Sequence, residues 1–180
     1  MKHLKFECLR CGSYCKKIII NNVTKKRNIK VGLCLQPKER KLFRSHNETK
    51  IFPYIGLQRE NWPEPKIIMY QMVSEPCPLL NTKTNLCTIY DKRPLICRSF
   101  PFSFDVSGLS IENNCTFSKK NIKKSDFGEI DIIMPGNQKN ALINLYNLFA
   151  KFERELKLDK KLTPLLFDFE KKIWLIKKIM

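Results

Sequence analysis

The chain has 180 residues, 43% of them hydrophobic and 11% aromatic, a content that fits one main folded domain and excludes a disordered chain. Its 34 Lys and Arg against 17 Asp and Glu give a formal charge of +17, concentrated in residues 1–50, where fourteen basic residues meet three Glu. This bias points to an anionic partner, RNA or an acidic protein, for the basic N-terminal third. No run approaches the roughly 20 apolar residues of a membrane-spanning helix, so no transmembrane segment is expected.

Residues 1–17 read as a cysteine-rich loop in which Gly12 supplies the positive-φ freedom that a ligand turn needs. Ile18–Ile20 is β-branched and reads as a short strand. From Asn28 to Cys34 polar and apolar residues alternate, placing Ile29, Val31 and Leu33 on one face. Gln36–Phe43 starts like a helix, with Pro37 in its first turn. Residues 45–65 carry three prolines and read as irregular, and Ile67–Val73 reads as a strand. Phe102–Val106 and Leu109–Ile111, separated by Ser107-Gly108, predict a β-hairpin. In the tail, Leu142, Leu145, Phe149, Phe152 and Leu156 form one helical stripe. Leu162, Leu166, Phe169, Ile173, Ile176 and Met180 form a second, with Thr163-Pro164 as a cap and first turn. The expectation is therefore α+β: a small, irregular, metal-organised domain with short strands, residues 1–120, closed by a C-terminal helical pair packed on it, residues 121–180.

The eight cysteines are the most informative feature. Cys8, Cys11 and Cys15 lie in one short loop, and Cys77, Cys87 and Cys97 lie in a second region. Two residues between thiols let one turn present both sulfurs to a single metal ion or cluster iron, and thiolates select zinc, cuprous copper or iron–sulfur clusters. Met1-Lys-His-Leu-Lys-Phe-Glu has no apolar h-region, so reduced thiols and a cytoplasmic location are expected rather than a disulfide framework. Pro94 and Pro101 stiffen the chain around Cys97. Arg93 and Arg98 stand beside it, where guanidinium groups would offset the negative charge of a thiolate-bound cofactor and hydrogen-bond its sulfurs. Metal-bound thiolates would also cancel part of the positive charge. Glycine-rich phosphate loops, GxSxG and HExxH are absent from the sequence. His3 could be a ligand but reads more simply as solvated, and nothing around His46 has ligand spacing.

Phe6-x-Cys-x-x-Cys-Gly-x-x-Cys15, Cys77-Pro-Leu-Leu80, Cys87-x-Ile-Tyr-x-x-Arg-Pro-x-x-Cys97-Arg-x-Phe-Pro101 and a lone Cys115 resemble the YkgJ-type cysteine-cluster family, the zinc- or iron-chelating domain written CxxCxxCC. The resemblance covers roughly residues 6–118. It implies a metal centre with Cys8, Cys11, Cys15, Cys77, Cys87, Cys97 and Cys115 as ligands, holding an iron–sulfur cluster or zinc and serving redox chemistry or metal handling. The family has a Cys-Cys pair where this chain has Tyr14-Cys15. Cys34 either replaces that thiol or is a buried one. Two alternatives stand beside this reading. A likeness to flagellin lysine methylases implies an S-adenosylmethionine-dependent protein lysine methyltransferase with an iron–sulfur centre. The charge suggests a zinc-stabilised RNA- or protein-binding module.

Overall fold

The computed structural model describes residues 2–24, 27–46, 48–105, 108–112, 115–122 and 130–176. The strands of the N-terminal half are β1 (Lys2–Lys5), β2 (Ile20–Thr24), β3 (Arg27–Val31), β4 (Leu33–Leu35), β5 (Ile51–Gln58) and β6 (Lys66–Met72). They are followed by β7 (Leu80–Asn81), β8 (Leu86–Cys87), β9 (Phe102–Asp105), β10 (Gly108–Ile111), β11 (Ile130–Ile133), β12 (Thr163–Asp168) and β13 (Ile173–Ile176). The helices are α1 (Ser13–Lys16), α2 (Leu95–Ser99), α3 (Thr116–Asn121) and α4 (Gly136–Leu158), with 3-10 turns at Pro37–Phe43 and Tyr90–Lys92. The protein is α+β. Among the described residues, no helix is long and apolar enough to cross a membrane.

The chain forms two compact units. The first comprises Met1–Lys16 and Leu79–Asn147, the second Lys17–Pro78 and Leu148–Met180. In the first, β1 runs parallel to β11, and the Phe6 amide extends the ladder by donating to the Ile133 carbonyl at 3.0 Å. β9 and β10 pair antiparallel as the hairpin pattern predicts; of the expected Ser107-Gly108 turn, Gly108 is the first residue of β10, while Ser107, with Val106 before it, lies outside the described residues. β7 and β8 form a two-residue ladder. The apolar interior is built from Phe6, Phe102, Cys115, Phe117 and Leu142, with a second small cluster of Leu95, Ala141 and Leu145. Each fully buried Phe contributes about 1.5–3 kcal/mol.

The second unit is a five-stranded antiparallel sheet of order β13-β12-β5-β6-β4 with the β2–β3 hairpin beside it in sequence. Ile55, Leu57 and Met69 of the sheet pack against Phe152 and Leu156 of α4. Ile29, Val31 and Leu33 are all buried, as the alternation requires. Ile18 is buried ahead of the strand, and only Ile20 of the expected Ile18–Ile20 strand lies in β2. The expected helix at Gln36–Phe43 is a 3-10 helix over Pro37–Phe43, opened by the Gln36 amide donating to Glu39 Oε2 at 2.8 Å.

Two expectations are corrected. Residues 51–58 form a strand rather than irregular chain, because Ile51, Phe52, Tyr54, Ile55 and Leu57 suit a pleated, half-buried surface. Pro53, which cannot donate to a ladder, sits where the register of β5 against β6 is interrupted. Beside this interruption stands Gln71 of β6, whose side chain is fully buried. Its Nε2 donates to the carbonyls of Pro53 (2.9 Å) and Phe167 (3.1 Å), and its Oε1 accepts from the Gly32 amide (3.2 Å).

The second helix of the expected C-terminal pair is instead the β12–β13 hairpin. Leu162, Leu166, Phe169, Ile173 and Ile176 do step by three and four, but the residues between them are apolar too. Pro164 and Leu165 are buried, and Phe167 packs edge-on to Trp174 at 5.0 Å. Such a run suits a strand buried on both faces, which periodicity alone does not separate from a helix. Asp168 Oδ1 accepts from the amides of Glu170 and Lys171, both at 3.0 Å, and Lys172 takes φ 56°, which turns the chain back. Met180 lies outside the described residues. The first helix stands as α4, though Leu148 takes the core position expected of Phe149, which is exposed.

Candidate metal centre

The cysteine loop Cys8–Cys15 is anchored at each end by aromatic residues. Phe6 packs edge-on to Phe102 and Phe117, with centroids at 5.2 and 4.8 Å. Tyr14, on α1, lies 4.5 Å from the Phe100 ring. Between these anchors Gly12 has φ +66°, and a Cβ there would fall 2.9 Å from the Asn85 carbonyl oxygen and 3.3 Å from Leu80 Cδ1. The loop thus lies against the β7–β8 hairpin, and only glycine permits the approach. The Lys16 amide closes α1 by donating to the Gly12 carbonyl at 3.0 Å.

Cys87 ends β8 opposite Leu80. Asn81 Oδ1 shapes the intervening turn by accepting from the amides of Lys83 and Thr84. The chain then passes through the Tyr90–Lys92 turn and Pro94 into α2, which carries Cys97. Leu95 fixes one side of α2 in the core, and Ser99 another with no exposed surface. Cys115 is buried at the N-terminal end of α3, and the next residue, Thr116, donates its hydroxyl to Cys11 Sγ at 3.2 Å.

The first unit therefore gathers the segments bearing Cys8, Cys11, Cys15, Cys87, Cys97 and Cys115 through contacts made by residues next to those thiols. Cys8 and Cys11 are exposed, Cys15, Cys87 and Cys97 half-buried. Among the described residues, no three His, Cys, Asp or Glu side chains stand at closed ligand geometry. The donor chemistry fits a soft metal or a cluster, and contacts of neighbouring residues hold the thiol-bearing segments together. Cys77 is buried at the end of the second unit, two residues before Leu79 opens the rest of the first.

Electrostatics distinguish the thiols. Burial pushes Cys11 up, but hydrogen bonds from Ser13 and Thr116 outweigh it and bring the thiol down from 9.0 to about 7. Burial, then a hydrogen bond donated to Cys8, raises the Tyr90 phenol, against the opposing pull of Arg93 and Arg10. Cys34 belongs to β4 and packs against the apolar interior of the sheet. Its residue keeps some exposure, but the thiol itself is enclosed, and burial pushes it up to about 12. That is the chemistry of an inert core thiol.

Of the two arginines singled out in the sequence, Arg93 lies 3.9 Å over the Tyr90 ring and donates Nε to the Tyr90 carbonyl at 2.8 Å. Arg98 is exposed on α2. His3 is exposed on β1, and His46 lines a surface cleft with Lys50 and Glu75. The spacing of the cysteines did not single out Arg10, Tyr90 or Thr116. The one available signal was position, each lying within three residues of a motif cysteine.

Soft donors gathered on short elements define a metal-chelating class of protein. The chain belongs to the family described as "CxxCxxCC: Putative zinc- or iron-chelating domain", which matches residues 7–127. Neither a curated protein nor a solved structure matches it.

Proposed function

We propose that the protein is a thiolate metalloprotein that holds an iron–sulfur cluster or zinc, with a redox or metal-handling role. Cys8, Cys11, Cys15, Cys87, Cys97 and Cys115 would hold the group, joined by Cys77 on its motif position, within a metal-binding segment spanning residues 1–120. The observation that carries this reading is the sewing of the Cys8–Cys15 loop to the neighbours of Cys87, Cys97 and Cys115, through Asn85, Phe100 and Thr116. A bound iron–sulfur cluster would supply one-electron chemistry, and zinc would supply a structural crosslink. Seven thiolates exceed the four of one tetrahedral zinc or of one four-cysteine cluster, which supports a second centre. The exposure of Cys8 and Cys11 supports uptake from solution, with the shell closing as metal enters.

The test is elemental and acid-labile sulfide analysis, with an absorption spectrum, on protein purified without oxygen. Iron with sulfide and dithionite-bleachable absorption would support the cluster, zinc alone would make the thiols scaffolding, and protein that retains neither metal after reconstitution would sink the reading. Methyl transfer and RNA or protein binding gain no support from contacts among the described residues.

A further inference from the structure

Cys11 is fixed both by its own backbone and by a residue far along the chain. The residues on either side of it are left-handed, Arg10 at φ 47° and Gly12 at φ +66°. Glycine takes this conformation freely, whereas arginine takes it only where its surroundings impose it. Here Arg10 stacks on the Tyr90 ring, its guanidinium carbon 4.5 Å from the centroid, and Arg93 lies over the same ring at 3.9 Å. The turn so held brings Cys11 Sγ to the Thr116 hydroxyl, which donates to it at 3.2 Å across 105 residues of sequence.

Thr116 is a firmly placed donor. It opens α3 between Cys115 and Phe117, both buried, and Phe117 packs edge-on to Phe6 at 4.8 Å. The Lys119 amide closes the first turn by donating to the Cys115 carbonyl at 2.9 Å. A β-branched side chain is restricted at χ1, so the hydroxyl keeps the direction that this backbone gives it. All of these residues belong to the first unit.

We propose that Thr116 is a positioning residue whose hydroxyl holds the Cys11 sulfur in the direction a metal ligand needs, and so sets how long the centre keeps its metal. This role rests on the thiolate-centre reading above. The hydroxyl engages one lone pair of the sulfur and leaves the others for metal. Loss of an outer hydrogen bond to a metal ligand typically costs about 10–100-fold in metal affinity. Cys11 is exposed, where water competes for the sulfur, so the lower end of that range applies.

The test compares metal-loaded wild-type protein with Thr116→Val, which keeps the branched shape and removes the hydroxyl, and with Thr116→Ser, which keeps the hydroxyl. Ser118→Ala is the control, a buried residue of the same helix whose hydroxyl has no partner among the described residues. The metal loaded is the one found by elemental analysis. Two readouts are taken: the rate at which a competing chelator removes it, and iodoacetamide labelling mapped to each cysteine. Thr116→Val is expected to bind the wild-type number of metal equivalents, to release them about tenfold faster, and to label first at Cys11. Thr116→Ala, used if Thr116→Val fails to fold, is expected to do the same, while Thr116→Ser and Ser118→Ala match wild type. Wild-type release and labelling order without the hydroxyl, or equally fast release from Thr116→Ser, overturn the positioning role and leave the metal centre standing. A wild-type protein that takes up no metal overturns both.

Discussion

The two units solve the problem of stability differently. The second has a five-stranded sheet, a helix laid against it and a buried aliphatic interior. The first has ladders of two strands, helices α1 to α3 of six residues or fewer, and six of the eight cysteines. Short ladders and single-turn helices contribute little alone. A unit of that kind leans on crosslinks, and under the proposed function that crosslink is metal. The difference teaches that the cysteines are distributed by structural need: they crowd where the core is thin, and the sheet holds Cys34 as ordinary packing.

The largest expected effect would break this comparison outright. Cys87→Ser or Cys97→Ser should lower bound metal to background and unfold the first unit with it. Amide exchange should rise there, while Trp62 and Trp174, both in the second unit, keep native fluorescence. Full metal content and unchanged exchange in both variants would show that the first unit stands without its crosslink. The reciprocal change is Phe152→Ala, which should cost the sheet unit about 3–5 kcal/mol by denaturant titration followed at the tryptophans. Metal stoichiometry should stay unchanged, and a loss of metal would show that the units do not separate as argued.

Smaller changes sharpen the contrast. Gly12→Ala should destabilise the cysteine loop by about 1–3 kcal/mol, through the left-handed φ and the approach to Asn85. Gly136→Ala meets nothing within 4 Å and should be neutral or stabilising by up to about 1 kcal/mol. Thermal melts of the metal-loaded variants would decide, and an equal effect at both sites would remove the steric argument.

The smallest effect is in pH. In metal-free protein Cys11 is lowered to about 7, so its thiolate contribution to stability is complete above the unfolded value of 9.0 and is lost as pH falls through about 7. Alkylation of Cys11 should therefore reach half its plateau rate near pH 7, whereas Cys34 should label only under denaturing conditions. Labelling of Cys34 alongside Cys11 in native protein would contradict the enclosed thiol.

The features legible in sequence were the local ones. Cysteine spacing, the Gly12 turn, the alternation from Ile29 to Leu33 and the stripe of α4 each act over a few residues. The β12–β13 hairpin was hidden because apolar residues fall at both helical and strand periods. β5 was hidden because Pro53 looks like a breaker until Gln71 is seen beside it. The stacking of Arg10 on Tyr90 has no signature at all: it depends on how the fold returns one segment to another distant in sequence.

Gln71 has a consequence for how the sheet can vary. Beside the register break of β5, the glutamine side chain answers the Pro53 and Phe167 carbonyls and the Gly32 amide together, a spare peptide unit carried on a neighbouring strand. A carboxylate there could not donate to two carbonyls, and an aliphatic residue could not answer Gly32. Exchange of Gln71 therefore orphans two carbonyls and an amide at once, each on a different stretch of chain, so this one side chain constrains three segments of the sheet unit.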